Sequence, residues 1–168
     1  RDYYASRGLG DVYKRQVFSL FKEMDYSGAM ESLAGVFPYL AFLLSVFSAL
    51  RLAKFNNDTR QTSSFVGLPV PANALFWASL VTGAHDWLVS SNFHPVYLLL
   101  LVCLFSWLLV SEIPMFSLKF KNLSWKDNKT SFIFLLVCIP FLIFLGICSF
   151  SAIIVWYILL SLITRKSK

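Results

Sequence analysis

The chain has 168 residues, of which 57% are hydrophobic and only 14% are charged, and its mean hydropathy is +0.65. A soluble domain carries about a quarter charged residues, so this composition argues against an ordinary soluble domain and favours a membrane protein. The net charge of +6 does not indicate nucleic-acid binding. The basic residues flank apolar runs, where lysine and arginine orient membrane spans and meet anionic lipid headgroups.

Residues 1–16, RDYYASRGLGDVYKRQ, differ from the rest of the chain because they are polar, mixed in charge and lack an initial methionine. The string resembles a translated sequencing-adapter tail that recurs at the ends of unrelated metagenomic reading frames. We therefore predict that residues 1–16 are not native and that residues 17–168 are the protein proper, with further native sequence upstream of Val17. A genuine terminal segment is the alternative.

Long apolar stretches follow in chain order. A helix needs about 20 apolar residues to cross the bilayer core. The stretches that approach, reach or exceed this length are residues 33–53, 70–89, 96–111 and 131–163.

The last of these stretches, residues 131–163, carries no charge. As one helix it would run about 50 Å, which exceeds the bilayer core of roughly 30 Å. Pro140 alone would only kink such a helix, whereas Gly146 and the small residues after it suit a turn. We predict a helical hairpin of residues 131–147 and 149–164, with one long tilted helix as the alternative.

The basic residues then fix the predicted topology. Five spans would place all the basic clusters on one side of the membrane, which is the cytoplasmic side by the positive-inside rule. Four spans would separate the last cluster from the others. The predicted fold is therefore an all-α, polytopic transmembrane bundle of about five spans with a cytoplasmic C-terminus. The clusters are Arg51, Lys54 and Arg60; Lys119, Lys121, Lys126 and Lys129; and Arg165, Lys166 and Lys168.

The loop after the first span is the most informative segment. Arg51 and Lys54 lie three residues apart, on one face of a helix, so their stems can stay in the bilayer while their charged ends bind an anionic group. Asn56 and the polar residues after it add neutral hydrogen-bonding groups, and Arg60 adds a further charge. These residues suit a phosphate-bearing lipid substrate. An ordinary positively charged cytoplasmic loop would give the same pattern.

Two segments resemble a known family. The first segment contains residues 51–56, RLAKFN, and residues 64–72, SFVGLPVPA. It resembles the RLARFN…SFxGLPxPA signature of bacterial phosphatidylserine synthases, which belong to the CDP-alcohol phosphatidyltransferase family. Residues 109–121, LVSEIPMFSLKFK, are similar to a second stretch of these enzymes, especially in their Bacteroidetes branch. The likeness extends from Val17 to the C-terminus but is specific only in these segments. The family usually has arginine where Lys54 stands, and lysine provides a point charge instead of a bidentate fork.

The resemblance implies the activity of a CDP-diacylglycerol–serine O-phosphatidyltransferase. This enzyme transfers a phosphatidyl group from CDP-diacylglycerol to L-serine, giving phosphatidylserine and CMP, in the bacterial inner membrane. The resemblance also implies three further spans before this chain, eight in all, and leaves a homodimer open. By this comparison Arg51, Lys54, Asn56 and Arg60 bind substrate.

The catalytic motif of the family has no counterpart in this sequence. The motif D-G-x2-A-R-x8-G-x3-D-x3-D supplies aspartates that hold Mg²⁺ or Mn²⁺ on the pyrophosphate and activate the attacking hydroxyl. No Asp-Gly pair occurs in the chain, and its aspartates do not align with the motif. We therefore assign no catalytic and no metal-binding residue, and we expect the chain alone to be inactive.

Two other acidic positions attract attention. His85 and Asp86 are adjacent, so on a helix their side chains should diverge by about 100° and form no dyad. Glu112 is expected to make a structural ion pair with Lys119 or with a neighbouring span.

Other functions fit the sequence less closely. A related phosphatidyltransferase would use glycerol phosphate or inositol as the acceptor. A small transporter or membrane scaffold is the alternative from another class, and a transporter should carry polar residues near the membrane midplane. Here most polar residues gather at one predicted surface, which favours chemistry on a lipid.

Overall fold

The computed structural model describes residues 2–26, 28–57, 65–115 and 128–165. This part of the chain is mostly helical, as the predicted all-α class requires. A pair of two-residue strands, β1 (Phe65–Val66) and β2 (Pro114–Met115), is the exception. The helices are α1 (Asp2–Glu23), α2 (Phe37–Leu40), α3 (Phe42–Asn57), α4 (Val70–Gly83), α5 (His85–Val89), α6 (Pro95–Val110), α7 (Lys129–Leu145) and α8 (Ser149–Arg165), with 3₁₀ turns at Gly28–Leu33 and Gly146–Cys148.

Two stretches of the described residues are long and apolar enough to cross a membrane. They are Phe37–Lys54, with 18 residues, and Lys129–Thr164, with 36 residues. Helix α6 is apolar but has only 16 residues, and α4 has 14, which correspond to about 24 and 21 Å. The five predicted spans therefore stay a prediction, because these two helices are shorter than the bilayer core.

The 36-residue stretch folds back on itself. The rings of Phe134 and Tyr157 lie 6.1 Å apart, although these residues are 157 − 134 = 23 positions apart in sequence and would be about 34 Å apart on a straight helix. The turn lies at Gly146, whose φ of +53° suits glycine better than any L-residue. The predicted hairpin is thus confirmed, with Pro140 inside α7.

Helix α1 packs against α3 and α4. Tyr13 is buried, its hydroxyl donates to the Leu44 carbonyl, and the same hydroxyl hydrogen-bonds the Ser48 hydroxyl. The helix runs without a break across the boundary that we predicted between residues 16 and 17. That residues 1–16 are not native remains a prediction. A non-native segment with suitable residues would also form a helix and bury a tyrosine.

A short antiparallel ladder joins the segment before α4 to the segment after α6. Phe65 pairs with Met115, and Val66 pairs with Pro114. Two further backbone bonds continue the contact, from the Gly67 amide to the Ile113 carbonyl at 2.8 Å and from the Leu68 amide to the Leu108 carbonyl at 3.0 Å. This ladder fixes the start of α4 beside the end of α6, where α3 also ends.

Candidate functional site

Arg51 joins three segments of the chain. Only 7% of the residue is exposed, and its Nη1 atom donates to the Val66 carbonyl at 2.8 Å and to the Leu109 carbonyl at 2.9 Å. Leu109 is in the last turn of α6, where carbonyls have no partner within the helix. A buried guanidinium is costly unless it is hydrogen-bonded, and these two carbonyls offset that cost.

Lys54 is on the next turn of α3 and reaches the same end of α6. Its Nζ donates to the Val110 carbonyl at 3.2 Å and lies 3.1 Å from Glu112 Oε1. The expectation that Glu112 forms a structural ion pair with a neighbouring span is confirmed, since its partner is Lys54. Lys119, the other partner considered, lies outside the described residues. The Lys54 and Glu112 side chains are 39% and 67% exposed, so the pair is accessible from outside.

Gly67 packs tightly between these groups. Its φ is +74°, and a Cβ atom on this residue would lie 2.6 Å from the Ser111 carbonyl oxygen and 2.7 Å from Arg51 Nη1. Both the backbone angle and the lack of space require glycine here. The sequence alone gave no sign of this packing.

We call Arg51, Lys54, Gly67, Leu109 and Glu112 the α3–α6 junction. It unites the two segments that carry the family resemblance, since Arg51 bonds to a residue 58 positions away. Of the four predicted substrate-binding residues, Arg51 and Lys54 meet here. Asn56 is in the last turn of α3, but its side chain lies outside the described part of the chain, as does all of Arg60.

The junction does not fit the divalent metal that the resemblance implies. Among its described residues Glu112 is the one carboxylate, and it pairs with Lys54. No group of three His, Cys, Asp or Glu residues that could hold a metal ion occurs anywhere in the described ranges. No chemical step is therefore assigned to a metal here.

His85 lies at the opposite end of α4, and here one sequence expectation is wrong. His85 Nδ1 lies 3.5 Å from Asp86 Oδ1, although we expected the two side chains to diverge. Helix α4 ends at Gly83, so both residues start a new short helix at an exposed position where their side chains can turn together. The shorter contact of His85 is from Nε2 to Glu23 Oε2, at 2.9 Å.

A second set of polar residues was missed by the sequence reasoning. Asn73 and Trp77 on α4 and Ser106 on α6 are almost completely buried. The Asn73 amide nitrogen and oxygen, Trp77 Nε1 and Ser106 Oγ have no hydrogen-bond partner among the described residues. We call these three residues the α4–α6 seam. A signal was available in the sequence, since Asn73 and Trp77 are four positions apart and therefore on one helical face.

Comparisons with known proteins do not assign a family. No protein-family model, no curated protein and no solved structure matches the chain. The likeness to CDP-alcohol phosphatidyltransferases therefore rests on the two sequence segments quoted above, and the activity is argued below from the site.

Proposed function

We propose that this chain is the lipid-substrate-binding part of a CDP-diacylglycerol–serine O-phosphatidyltransferase of the bacterial inner membrane. The whole enzyme would transfer a phosphatidyl group from CDP-diacylglycerol to L-serine and release CMP. The observation that carries the proposal is the α3–α6 junction. Two segments that resemble the same family, far apart in sequence, meet there through Arg51 and Gly67, as parts of one substrate site would.

The arrangement of the helices supports five spans with the basic clusters on one side. Arg51 near the end of α3 contacts Leu109 near the end of α6. At the other end of α4, Gly83 lies against Cys148 in the hairpin turn. Helices α7 and α8 therefore begin and end on the side of Arg51. That side carries Lys129 and Arg165 at the hairpin ends and corresponds to the cytoplasm.

Apolar side chains on the surface support a lipid environment. In helix α7, Ile143 and Phe144 are 71% and 82% exposed. Contiguous exposed apolar surface of this kind is rare on a soluble monomer and marks contact with lipid or protein. Further exposed residues of the hairpin are Ile133, Leu135, Leu136, Ile139, Leu142, Leu145, Ile147, Phe150, Val155, Leu159, Leu162 and Ile163.

The residues of the junction have different roles in the proposed binding of substrate. Arg51 is engaged by two carbonyls, so it positions β1 and the start of α4. Lys54 is partly exposed and can exchange Glu112 for a substrate phosphate, because an exposed ion pair is worth only about 0–1 kcal/mol. Asn56 and Arg60 would complete the headgroup contacts. None of these residues is assigned a catalytic role.

The activity test uses the coding sequence extended upstream of Val17. We expect an aspartate motif there, and CMP release from CDP-diacylglycerol that depends on L-serine. If the extended protein releases no CMP with any acceptor, the proposal fails. CMP release with glycerol phosphate or inositol, but not with serine, would indicate a related phosphatidyltransferase.

A second test addresses the topology. After replacement of the native cysteines, single cysteines at positions 54, 126 and 166 would be labelled with a membrane-impermeant thiol reagent from each side. All three positions should react from the cytoplasmic side. Labelling of positions 126 and 166 from opposite sides would exclude a hairpin that crosses the membrane twice.

A transporter is the second candidate, and one observation favours it. The buried polar residues of the α4–α6 seam lie inside the bundle, where transporters bind their substrates. Uptake of labelled L-serine into proteoliposomes by the 168-residue chain would support transport, and absence of uptake would exclude serine transport.

A further inference from the structure

The helices of the proposed membrane bundle are all short. Helix α4 has 14 residues, α6 has 16, and α7 and α8 have 17 each, while the stretch Phe37–Lys54 has 18. These lengths correspond to about 21–27 Å, which is less than the roughly 30 Å of a typical hydrocarbon core. Because every helix has this deficit, it belongs to the bundle as a whole.

Charged contacts mark both ends of the apolar zone. Lys54 Nζ lies 3.1 Å from Glu112 Oε1 beside the start of α4, and His85 Nε2 lies 2.9 Å from Glu23 Oε2 just beyond its end. The four side chains are 39–67% exposed. Such groups are costly in hydrocarbon, but charges of both signs complement zwitterionic headgroups. The hydrocarbon layer that the bundle accepts therefore lies between these two contacts.

The outer face of α6 has the same short span. Tyr97, Leu100, Leu104 and Trp107 follow one another at helical spacing and are each at least 50% exposed, so they form one stripe. Tyrosine and tryptophan prefer the two membrane interfaces. Here they stand at the ends of the stripe, ten positions or about 15 Å apart, with leucines between them.

Further aromatic residues mark the end of the bundle at which α4 stops. Trp87 is 59% exposed, and its ring lies 4.8 Å from that of Phe93, which in turn lies 5.9 Å from Tyr97. Asp86, immediately before Trp87, is fully exposed. Aromatic rings next to an exposed carboxylate are typical of a headgroup interface, so the interface is reached where α4 ends.

The hairpin cannot slide along α4 to match a thicker membrane. A Cβ atom on Gly83 would lie 2.6 Å from Cys148 Sγ, so the hairpin turn lies where α4 ends. One turn earlier, the Ser79 and Ser151 hydroxyls are hydrogen-bonded at 2.5 Å. Helices α4, α7 and α8 are thus held in a fixed register.

We propose that the protein fits a hydrocarbon core of about 25 Å and binds preferentially to phospholipids with short acyl chains, of about 14–16 carbons. In a thicker membrane the lipids around it would be compressed. This inference rests on the membrane bundle of the proposed function, and it adds the class of lipid that contacts the outer face of the bundle.

The binding test uses the 168-residue chain in bilayers of a brominated 18-carbon phosphatidylcholine, which quenches tryptophan on contact. Exposed Trp87 and Trp107 are the reporters. Unbrominated phosphatidylcholines with monounsaturated chains of about 14, 16, 18 and 22 carbons then compete with it. The 14- or 16-carbon lipid should bind about 2-fold or more tightly than the 22-carbon lipid and restore the most fluorescence. Equal competition, or strongest binding of the 18- or 22-carbon lipid, would overturn the inference.

Thermal unfolding in lipid nanodiscs provides a second measurement. The midpoint should be highest with 14- or 16-carbon chains and lower by about 3 °C or more with 22-carbon chains. A midpoint independent of chain length, or one that is highest with 22-carbon chains, would contradict the inference.

Variants at the rim test whether the polar ends set the preferred thickness. Asp86 and His94, the residue before α6, are both exposed. Asp86→Leu combined with His94→Leu extends the apolar surface and should move the best chain length upwards by about two carbons. Asp86→Asn combined with His94→Asn keeps the rim polar and should leave the best chain length unchanged. The comparison uses the position of the maximum, so a uniform loss of stability does not affect it. The same best chain length in both double variants would overturn the inference.

The outcomes also separate this inference from the proposed function. If the extended protein releases CMP with serine but neither binding nor stability depends on chain length, the lipid preference fails and the transferase stands. If the chain prefers short-chain lipids but the extended protein releases no CMP, the transferase fails and the lipid preference stands.

Discussion

The α3–α6 junction and the α4–α6 seam both hold buried polar side chains, yet their hydrogen bonding differs. At the junction, Arg51 is bonded to two carbonyls and Lys54 to a carbonyl and a carboxylate. In the seam, four polar atoms of three residues have no partner among the described residues. Because an unpartnered buried group is costly and a bonded one is not, the junction should stabilise the fold, whereas the three residues of the seam should lower its stability.

The largest expected effect comes from closing the space at the junction. Gly67→Ala would place a methyl group 2.6 Å from the Ser111 carbonyl oxygen at a φ of +74°. We expect a loss of about 2–4 kcal/mol in the free energy of unfolding, from strain and displacement together. Denaturant titration in detergent micelles would measure it.

Two other glycines are controls for this prediction. Gly146 also has a positive φ, but a Cβ there meets nothing within 4 Å, so Gly146→Ala measures the strain alone and should cost about 1–2 kcal/mol. Gly35 has open space and no positive φ, so Gly35→Ala should be near neutral. Equal losses at positions 67 and 146 would contradict the close packing at the junction.

Removal of the Arg51 guanidinium should have the next largest effect. Arg51→Met keeps the aliphatic stem but leaves the Val66 and Leu109 carbonyls unpaired, so we expect about 2–3 kcal/mol less stability. Arg51→Lys keeps the charge, loses the planar fork and should fall between Met and the parent chain.

The same position also tests substrate binding. In the proposed transferase, expressed with its upstream sequence, Arg51→Ala should reduce transfer by about 10- to 150-fold while insertion into the membrane is kept. If a stable, inserted Arg51 variant keeps normal transfer, then neither the hydrogen bonds nor the charge of Arg51 contributes to substrate binding.

A pair of serine variants compares the seam directly with a bonded site. Ser161→Ala removes a hydrogen-bonded hydroxyl and should cost about 1 kcal/mol. Ser106→Ala removes an unpartnered hydroxyl of equal burial and should be neutral or stabilising by up to about 1 kcal/mol. A similar loss for both variants would mean that Ser106 has a hydrogen-bond partner in the protein.

Lys54 should give the smallest effect on stability. Lys54→Gln breaks an exposed ion pair and should change stability by less than about 1 kcal/mol, with the difference decreasing at high salt. It should weaken CDP-diacylglycerol binding to the nanodisc-embedded chain much more than it weakens the fold. Lys54→Arg, which introduces the residue found in the signature that this segment resembles, is the control and should keep or strengthen binding.

The hairpin could be predicted from the sequence because it depends on length and charge alone. Residues 131–163 are too long for one span, and Gly146 is near the middle. The need for Arg51 to face protein, water or a ligand was also predictable, since a charge inside an apolar run demands a partner. Its actual partners were not, because backbone carbonyls carry no sequence signature, and the two involved belong to β1 and to the last turn of α6.

The α4–α6 seam was not predictable for a related reason. Asn73 and Ser106 are isolated polar residues in different apolar runs, and each alone would be expected to bond to its own helix or to a neighbour. Nothing in either run indicates that the Asn73 amide and the Ser106 hydroxyl would lack a hydrogen-bond partner among the described residues. The 3.5 Å approach of His85 and Asp86 was not expected from adjacent helical positions, and it occurs in the first turn of the short helix α5, where both side chains are exposed.

The turn between α7 and α8 would matter for membrane insertion of the bundle that we propose. It contains no charged residue, and the Ser149 hydroxyl donates to the Gly146 carbonyl at 2.5 Å, so the turn satisfies part of its own polarity. During synthesis such a hairpin can leave the translocation channel sideways as a single unit, since no hydrated loop has to be carried across the hydrocarbon. Its two ends, at Lys129 and Arg165, would stay on the side of the ribosome throughout.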